Sequence, residues 1–563
     1  MLITTRTRDR RVWDPLDWCE ARSVGMLSNA DGAAMLRDLT DDRAGDEADA
    51  KQLSHRLGGL PLALRLAGRY LATTNQVPLH DDVTSYAAYL AKLERTGPVP
   101  LMPASDSIDP APDRRAIDRT WMLSLTLLES RGHPAAKPLL RVLAMMADAK
   151  IPYPLILDAS ILSSSKAFKD CDIRELLQAL DSLALIDFTS DGGNHNPALK
   201  LHQMIRDTIR HELTLSREAA VGTGQLAIRL IAQTVSRPEV HNPDDPRCWP
   251  AWSTLAPHPP GLFATARALP GMPNGLLVSA ADSAAATARY LAAIGLFDAA
   301  KEQVDDIVAA YEQLLGPYDP KTLEARCNAA RWIGEAGDRA TARDRFHTLV
   351  EECERVHGSE APVTLGLRGH LAHWTGWAGD AKRARDMCAE LLRHREQHLG
   401  TRHPETLSLR SSLAHWTGLS NDAKRARDEY EAVAHLWEKV SGPEDRATLN
   451  ARSGLARWTG EAGDRASAVE LYRELVRDIQ RICGPEHHDT LNELAELAHW
   501  TGKAGDPVSA VEQYRSLLPL RERICGPTHP ETEETRARLA YWQQQTTASR
   551  PRPEPDSAAM PTT

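Results

Sequence analysis

Counting in steps of 42 residues from Arg331 reaches His373, His415, Arg457, His499 and finally Tyr541. All six side chains donate hydrogen bonds, two are fixed cations, and histidine, with an ordinary pKa of about 6.5, titrates close to physiological pH. Their neighbours include small residues such as Ser411 and Ser453. A row of donors at a fixed interval suits recognition: an extended acidic or polar peptide would meet one donor per step, more tightly as the histidines charge with falling pH. Two other groupings invite a chemical reading. His394 and His398 stand four apart, which on a helix turns both rings to one face, a spacing that could hold a metal ion. No carboxylate or third ligand is placed with them, so no metal is expected. Gly502-Lys503 is the one Gly-Lys pair, and Ala504 follows where the phosphate-cradling pattern G-x-x-x-x-G-K-[ST] needs a hydroxyl. No catalytic residue is expected in the chain.

The row owes its spacing to a repeat. Tryptophan recurs at Trp332, Trp374, Trp416, Trp458, Trp500 and Trp542, glycine from Gly316 to Gly526, and threonine from Thr322 to Thr532, every step being 42 residues with no insertion. Such regularity marks an α-solenoid of stacked helix-turn-helix units, so the fold class is mainly α. A threonine, often behind a proline (Pro320, Pro404, Pro530), opens helix A, which runs to the tryptophan. Gly-Asp then punctuates, and Asp338, Asp380, Asp422, Asp464 and Asp506 stand where a carboxylate accepts from the free amides that start helix B. Helix B ends at a glycine, as in Gly442-Pro443 and Gly484-Pro485, a stop with a physical cause.

Placed at 100° per residue, Trp416, Leu413, Ala414 and Leu407 span a broad apolar arc of helix A. The tryptophans therefore read as core between neighbouring helix pairs, and a ladder of exposed rings for stacking bases or sugars is rejected. The remaining narrow polar arc holds Ser408, Ser411 and His415, then Asn450, Ser453 and Arg457, then Asn492, Ala495 and His499. It is either a solvated face or a binding groove. A second ladder, Arg326, Arg368, Arg410, Arg452 and Arg536, falls inside the apolar arc and must be paired if buried, so it reads as structural.

Composition narrows the class of partner. The 563 residues carry a net charge of −10, which disfavours a nucleic acid held by bulk electrostatics. Eight cysteines without a CxxC pair suit a reducing cytoplasm. No apolar run reaches membrane-spanning length and the Arg-rich N-terminus has no apolar segment behind it, so a soluble cytoplasmic protein is expected. Ahead of the repeats, Leu2-Ile3-Thr4-Thr5-Arg6 reads as a buried strand. Leu53 to Tyr70 reads as two helices broken at Gly58-Gly59, with Pro61 in the first turn of the second. After a proline-rich stretch come helices at Ile117–Leu128, Leu139–Met146 and Ile173–Leu183, then a hairpin formed by Ile186–Phe188, Gly-Gly-Asn and Leu199–Leu201. Helices followed by a hairpin suggest a winged helix, but Asp170, Asp172, Glu175 and Asp181 around the last helix match phosphate poorly.

The segment Leu-Ala-His-Trp-Thr-Gly-Trp-Ala-Gly-Asp around Trp374, continuing to Leu-Gly-Thr-Arg-His-Pro-Glu-Thr-Leu, resembles the 42-residue tetratricopeptide repeat (TPR) of the kinesin-light-chain type. That resemblance covers roughly Ala284 to Trp542, including a worn unit marked by Tyr290, Gly295 and Ala300, and implies protein or peptide binding in a concave groove. Thr-Thr-Arg followed by Gly-Leu-Pro-Leu resembles the second half of an NB-ARC domain, the nucleotide-binding module of STAND signalling ATPases. The resemblance implies that Thr5 and Arg6 form a phosphate sensor, that Pro61 packs on adenine, and that His202, in Leu-His-Gln where the family has Met-His-Asp, contacts the β-phosphate of ADP. These contacts are vestigial here, because the phosphate loop and acidic strand are absent; ADP or ATP would bind only if the missing half were supplied. The implied organisation is an NB-ARC remnant (1–97), a linker (98–112), a winged-helix-like domain (113–215), a helical bridge (216–283), the array (284–545) and a disordered tail (546–563). An interaction scaffold of the STAND type follows, with oligomerisation through the N-terminal part as a further expectation. The alternative is the C-terminal part of a switch ATPase whose phosphate loop lies upstream, and a DNA-binding regulator is least favoured.

Overall fold

The computed structural model describes residues 27–76, 83–95, 112–189 and 197–548. From Asn274 the chain is a succession of helix pairs. The worn unit, Asn274–Ala293 with Phe297–Leu314, comes first and begins ahead of residue 284, where the array is expected to start. Numbering the repeats from Trp332, helices A and B are Pro320–Glu335 and Arg339–His357 in the first, Pro362–Trp377 and Ala381–Leu399 in the second, and Pro404–Leu419 and Ala423–Ser441 in the third. The fourth has Arg446–Glu461 and Arg465–Cys483, the fifth His488–Lys503 and Pro507–Ile524, and a last helix, Pro530–Ala548, follows.

Local signals set these boundaries. The Oδ1 atoms of Asp338, Asp380, Asp422, Asp464 and Asp506 accept from backbone N–H groups three residues on, at 2.9–3.2 Å, and so cap every helix B from the first repeat to the fifth. Gly358, Gly400, Gly442 and Gly484 end their helices at φ between 86° and 96°, a backbone that costs glycine little and other residues more. After three of these glycines a buried threonine six residues on returns to the stop: Thr364, Thr448 and Thr490 donate to the carbonyls of Gly358, Gly442 and Gly484 at 2.7–2.9 Å. The stop of one helix and the start of the next are thereby fastened together.

Packing explains the Trp-Thr-Gly signature. All six repeat tryptophans are buried, none more than 6 % exposed. A Cβ on Gly376 would lie 2.3 Å from the ring of Trp416, and one on Gly418 or Gly460 would meet Trp458 or Trp500 at 2.4 and 2.3 Å. The glycine two residues after each tryptophan is the seat of the next repeat's indole, so successive A helices touch at the ring. The threonine between them satisfies its hydroxyl within its own helix, as Thr417 does on the Leu413 carbonyl at 2.8 Å. Behind each indole the core repeats as well, with Ala426, Tyr430 and Trp458 in one layer and Ala468, Tyr472, Leu475 and Trp500 in the next. The arginine ladder is paired: the half-buried Arg326 with Glu352, Arg368 with Glu354, Arg410 with Glu396 and Arg452 with Asp478, and the exposed Arg536 with Glu522, every partner on a helix B.

Two compact units divide the chain, residues 1–231 with 264–276 and residues 232–263 with 277–563. In the first, Gly58 and Gly59, both at positive φ, break Glu47–Arg56 from Pro61–Gln76. Leu27 N–H holds the Gly59 carbonyl at 2.9 Å. Helices Pro112–Ser130, Ala136–Ala144 and Ile173–Ser182 precede an antiparallel hairpin of β1 (Ile186–Thr189) and β2 (Ala198–Leu201), with Ile186 opposite Leu201. Arg65 hydrogen-bonds Asp187 of β1, tying the helical segment to the hairpin. Thr5, Arg6, most of the 98–112 linker, the Gly-Gly-Asn turn and the tail from residue 549 lie outside the described residues. No helix among the described residues is long and apolar enough to cross a membrane.

Candidate functional site

One stripe of each helix A, at positions 366, 370, 373 and 377 of the second repeat and their equivalents, carries the expected row. Arg331, His373 and Arg457 are exposed, while His415 and His499 are half-buried. The histidines do not stand free. His373 lies edge-on to Trp374 at 5.3 Å and to Trp416 of the next repeat at 6.0 Å; His415 does the same with Trp416 at 4.9 Å and Trp458 at 6.1 Å. His499 repeats the arrangement with Trp500 and Trp542, and the Arg457 guanidinium rests 5.6 Å from the Trp458 ring centre. Each member of this part of the row thus sits over the seam between two A helices, with one edge toward solvent.

That placement overturns the expected titration near pH 6.5. The indoles cover part of each ring, although an edge of His373 reaches solvent, and this partial burial, with smaller contributions from neighbouring His370, His373 and Arg457, pushes His373 and His415 down to about 4. His370 and His499 are lowered too, again chiefly by burial. At neutral pH the histidines are therefore uncharged groups with one ring nitrogen to donate and one to accept, and the row's fixed charge comes from Arg331 and Arg457.

Between these side chains the surface is low. A Cβ on Gly366 would meet nothing within 4 Å. Ser408 and Asn450 are exposed, and Ser411 spends its hydroxyl on the Leu407 carbonyl. Trp377 is 37 % exposed and spans His373 and His415 at 6.2 and 6.1 Å, with Arg339 against it at 5.1 Å. Sequence reasoning missed Trp377 and His370. Both depart from the residues at their equivalents, Leu419, Glu461 and Lys503 for the first and Ser412, Gly454 and Glu496 for the second, and a comparison of the units position by position would have found them. In the fifth repeat the stripe gains an acidic member, Glu496, which pairs with Arg538 at 2.8 Å. Beside the stripe, at the equivalent of the buried Leu367, Glu493 accepts from Ser453 Oγ at 3.0 Å and burial raises its carboxyl to about 7.

Of the residues assigned to nucleotide by resemblance, Pro61 and His202 are the two among those described. Pro61 is exposed at the start of Pro61–Gln76 and His202 is exposed directly after β2, at the start of a different helix, Gln203–Thr214. Trp249 and Trp252 form the expected packed bridge: Trp252 stacks on Tyr290 of the worn unit at 5.7 Å and Trp249 on His529 at 6.1 Å, whose Nε2 is 3.2 Å from the Ala293 carbonyl. The fold also brings Glu360 to His394 and His398.

The tetratricopeptide repeat family matches residues 364–405 and 448–489, so the chain contains these repeats. A comparison with curated proteins finds no match. Among solved structures, a putative kinesin light chain from Podosopora anserina with nearly identical TPR-like repeats is 22 % identical over 36 % of this chain and 96 % of its own, with a TM-score of 0.32. A Rap protein complexed with Competence and Sporulation Factor is 10 % identical over 62 % of this chain and 93 % of its own, with a TM-score of 0.33. NprR in complex with its cognate peptide NprX is 12 % identical over 59 % and 84 %, with a TM-score of 0.36. Overlaps of this size carry no functional inference.

Proposed function

We propose that the chain is an interaction scaffold whose A-helix stripe captures an extended polar or acidic segment of a protein or peptide partner. One observation carries this reading: Arg331, His373, His415 and Arg457 alternate with the open floor of Gly366, Ser408 and Asn450. Neutral imidazoles and the Asn450 amide both donate and accept, as a peptide backbone does, and the two guanidinium groups select carboxylates. Fluorescence anisotropy with labelled, unstructured peptides tests it. Peptides rich in Asp, Glu and Ser should bind, and those rich in Lys should not. Equal binding of both sets, or binding unaffected by the Asn450→Ala, Arg457→Ala double variant, would refute the reading.

In this reading the chain is a regulator of the STAND type without a complete nucleotide site, and we assign it no reaction and no cofactor. The order of elements supports it: a helix break ahead of Pro61, then helices, then a hairpin followed at once by His202. The isolated Pro61 and His202 contacts cannot offset the entropy of fixing a nucleotide. Calorimetric titration with ADP and ATP should give no heat at micromolar concentration, and micromolar binding would restore the switch-ATPase alternative.

A further inference from the structure

Glu360 lies in the loop between helix B of the first repeat and helix A of the second, and His394 and His398 lie one turn apart near the end of the second helix B. The fold draws them together, so that one ligand atom from each lies within 4.8 Å of the other two. The two imidazole centroids are 4.3 Å apart, and His394 Nε2 is in ion-pair contact with Glu360 Oε2. The other ring nitrogen of His394, Nδ1, is shielded from solvent yet makes no hydrogen bond, which is unusual for a buried polar atom. We propose that Glu360, His394 and His398 form a site for a divalent transition-metal ion of the zinc class.

The other repeats serve as an internal control. Where the second repeat has His394 and His398, the first has Glu352 and Val356, the third Leu436 and Val440, the fourth Asp478 and Ile482 and the fifth Leu520 and Ile524. Glu352 and Asp478 are taken up by Arg326 and Arg452. The carboxylate of Glu360 recurs as Glu444 and Glu486, and there arginine neutralises it, Arg481 at 2.6 Å and Arg523 at 2.6 Å. The residue in the place of those arginines is Gln397 here. Neighbouring Arg395 turns to Glu405 instead. In this one repeat both positions are imidazoles, and the arginine that neutralises the equivalent carboxylates Glu444 and Glu486 is replaced by glutamine. A second trio, His488, Cys525 and Glu531, is drawn together as closely. There Arg521 already holds Glu531 at 2.8 Å, a positive charge where a metal would need a negative one.

Two imidazoles and a carboxylate are the donors that zinc takes, and tetrahedral bonds of about 2.1 Å would set the ligand atoms roughly 3.4 Å apart. Water fills the fourth position, toward solvent, since Glu360 and His398 are both exposed. A bound ion would pin the loop to the helix end, joining the first repeat to the second.

The test is a zinc titration of the chelator-stripped full chain against a chromophoric competitor. One equivalent should bind. His398→Ala and Glu360→Gln, both at exposed positions that leave the fold intact, should each weaken it by at least about tenfold, since even outer-shell partners of a metal are worth roughly 10–100-fold. His435→Ala, an exposed histidine one repeat on, and Cys525→Ser should leave it unchanged. Loss of zinc in the Cys525 variant would place the ion at the other trio, and equal affinity in the wild type and His398→Ala would reduce it to surface histidine binding; either overturns the proposal.

Discussion

His415 shows how far a residue's chemistry depends on what the fold sets around it. Its type and spacing promise a switch near pH 6.5, but two indoles, one from the next repeat, hold it neutral to about 4. A histidine depressed in the folded state stabilises least where the unfolded chain takes up protons, so these rings cost the fold stability as pH falls from about 6.5 toward 4. Glu493 is raised instead, to about 7, chiefly by burial. The folded state then keeps a proton that the unfolded chain, with a carboxyl of about 4.3, has already released. The stability this contributes is complete at acid pH and is lost as pH climbs through 7. Glu493→Gln, which cannot ionise and can still accept from Ser453, should therefore melt with the wild type near pH 4.5 and above it at pH 8. Melting curves at the two pH values check this, and an equal difference at both would show that Glu493 ionises normally.

The unit of construction is the helix pair, and its logic was legible because it is local and stated six times over. Aspartate caps, glycine stops and buried tryptophans follow from residue type and interval alone, and each stands where it was expected. What the Trp-Thr-Gly signature accomplishes was not legible: Gly418 and Trp458 stand 40 residues apart, and no helical period relates them. Truncation of Trp416 to alanine should cost roughly 3–5 kcal/mol. Gly418→Ala, which drives a Cβ into the Trp458 ring, should cost about 1–3 kcal/mol although it adds a better helix former. Since each repeat leans mainly on its neighbours, hydrogen exchange should rise in the second and third repeats for the Trp416 variant, in the third and fourth for the Gly418 variant, and little elsewhere. Even loosening along the whole array would contradict that picture.

At the scale of the whole chain, the array and its period could be read in advance, as could the helix break before Pro61 and the hairpin after Ile173–Ser182. Contacts that join distant stretches could not be. Glu360 meeting His394, Trp249 meeting His529 and Ser453 meeting Glu493 are set by how repeats stack, and no residue pattern announces them. The central claim is that this stacking exposes one continuous recognition stripe on the A helices. Its most direct test is the affinity of an acidic, serine-rich peptide for the wild type and for Arg457→Ala and Asn450→Ala, measured from pH 7.5 to 5.5. A charge-assisted hydrogen bond contributes about 1.5–3 kcal/mol, so Arg457→Ala should weaken binding about tenfold or more. With His373 and His415 neutral throughout that range, wild-type affinity should stay flat. Binding that survives both substitutions unchanged, or that tightens steeply as pH falls through 6.5, would contradict the account.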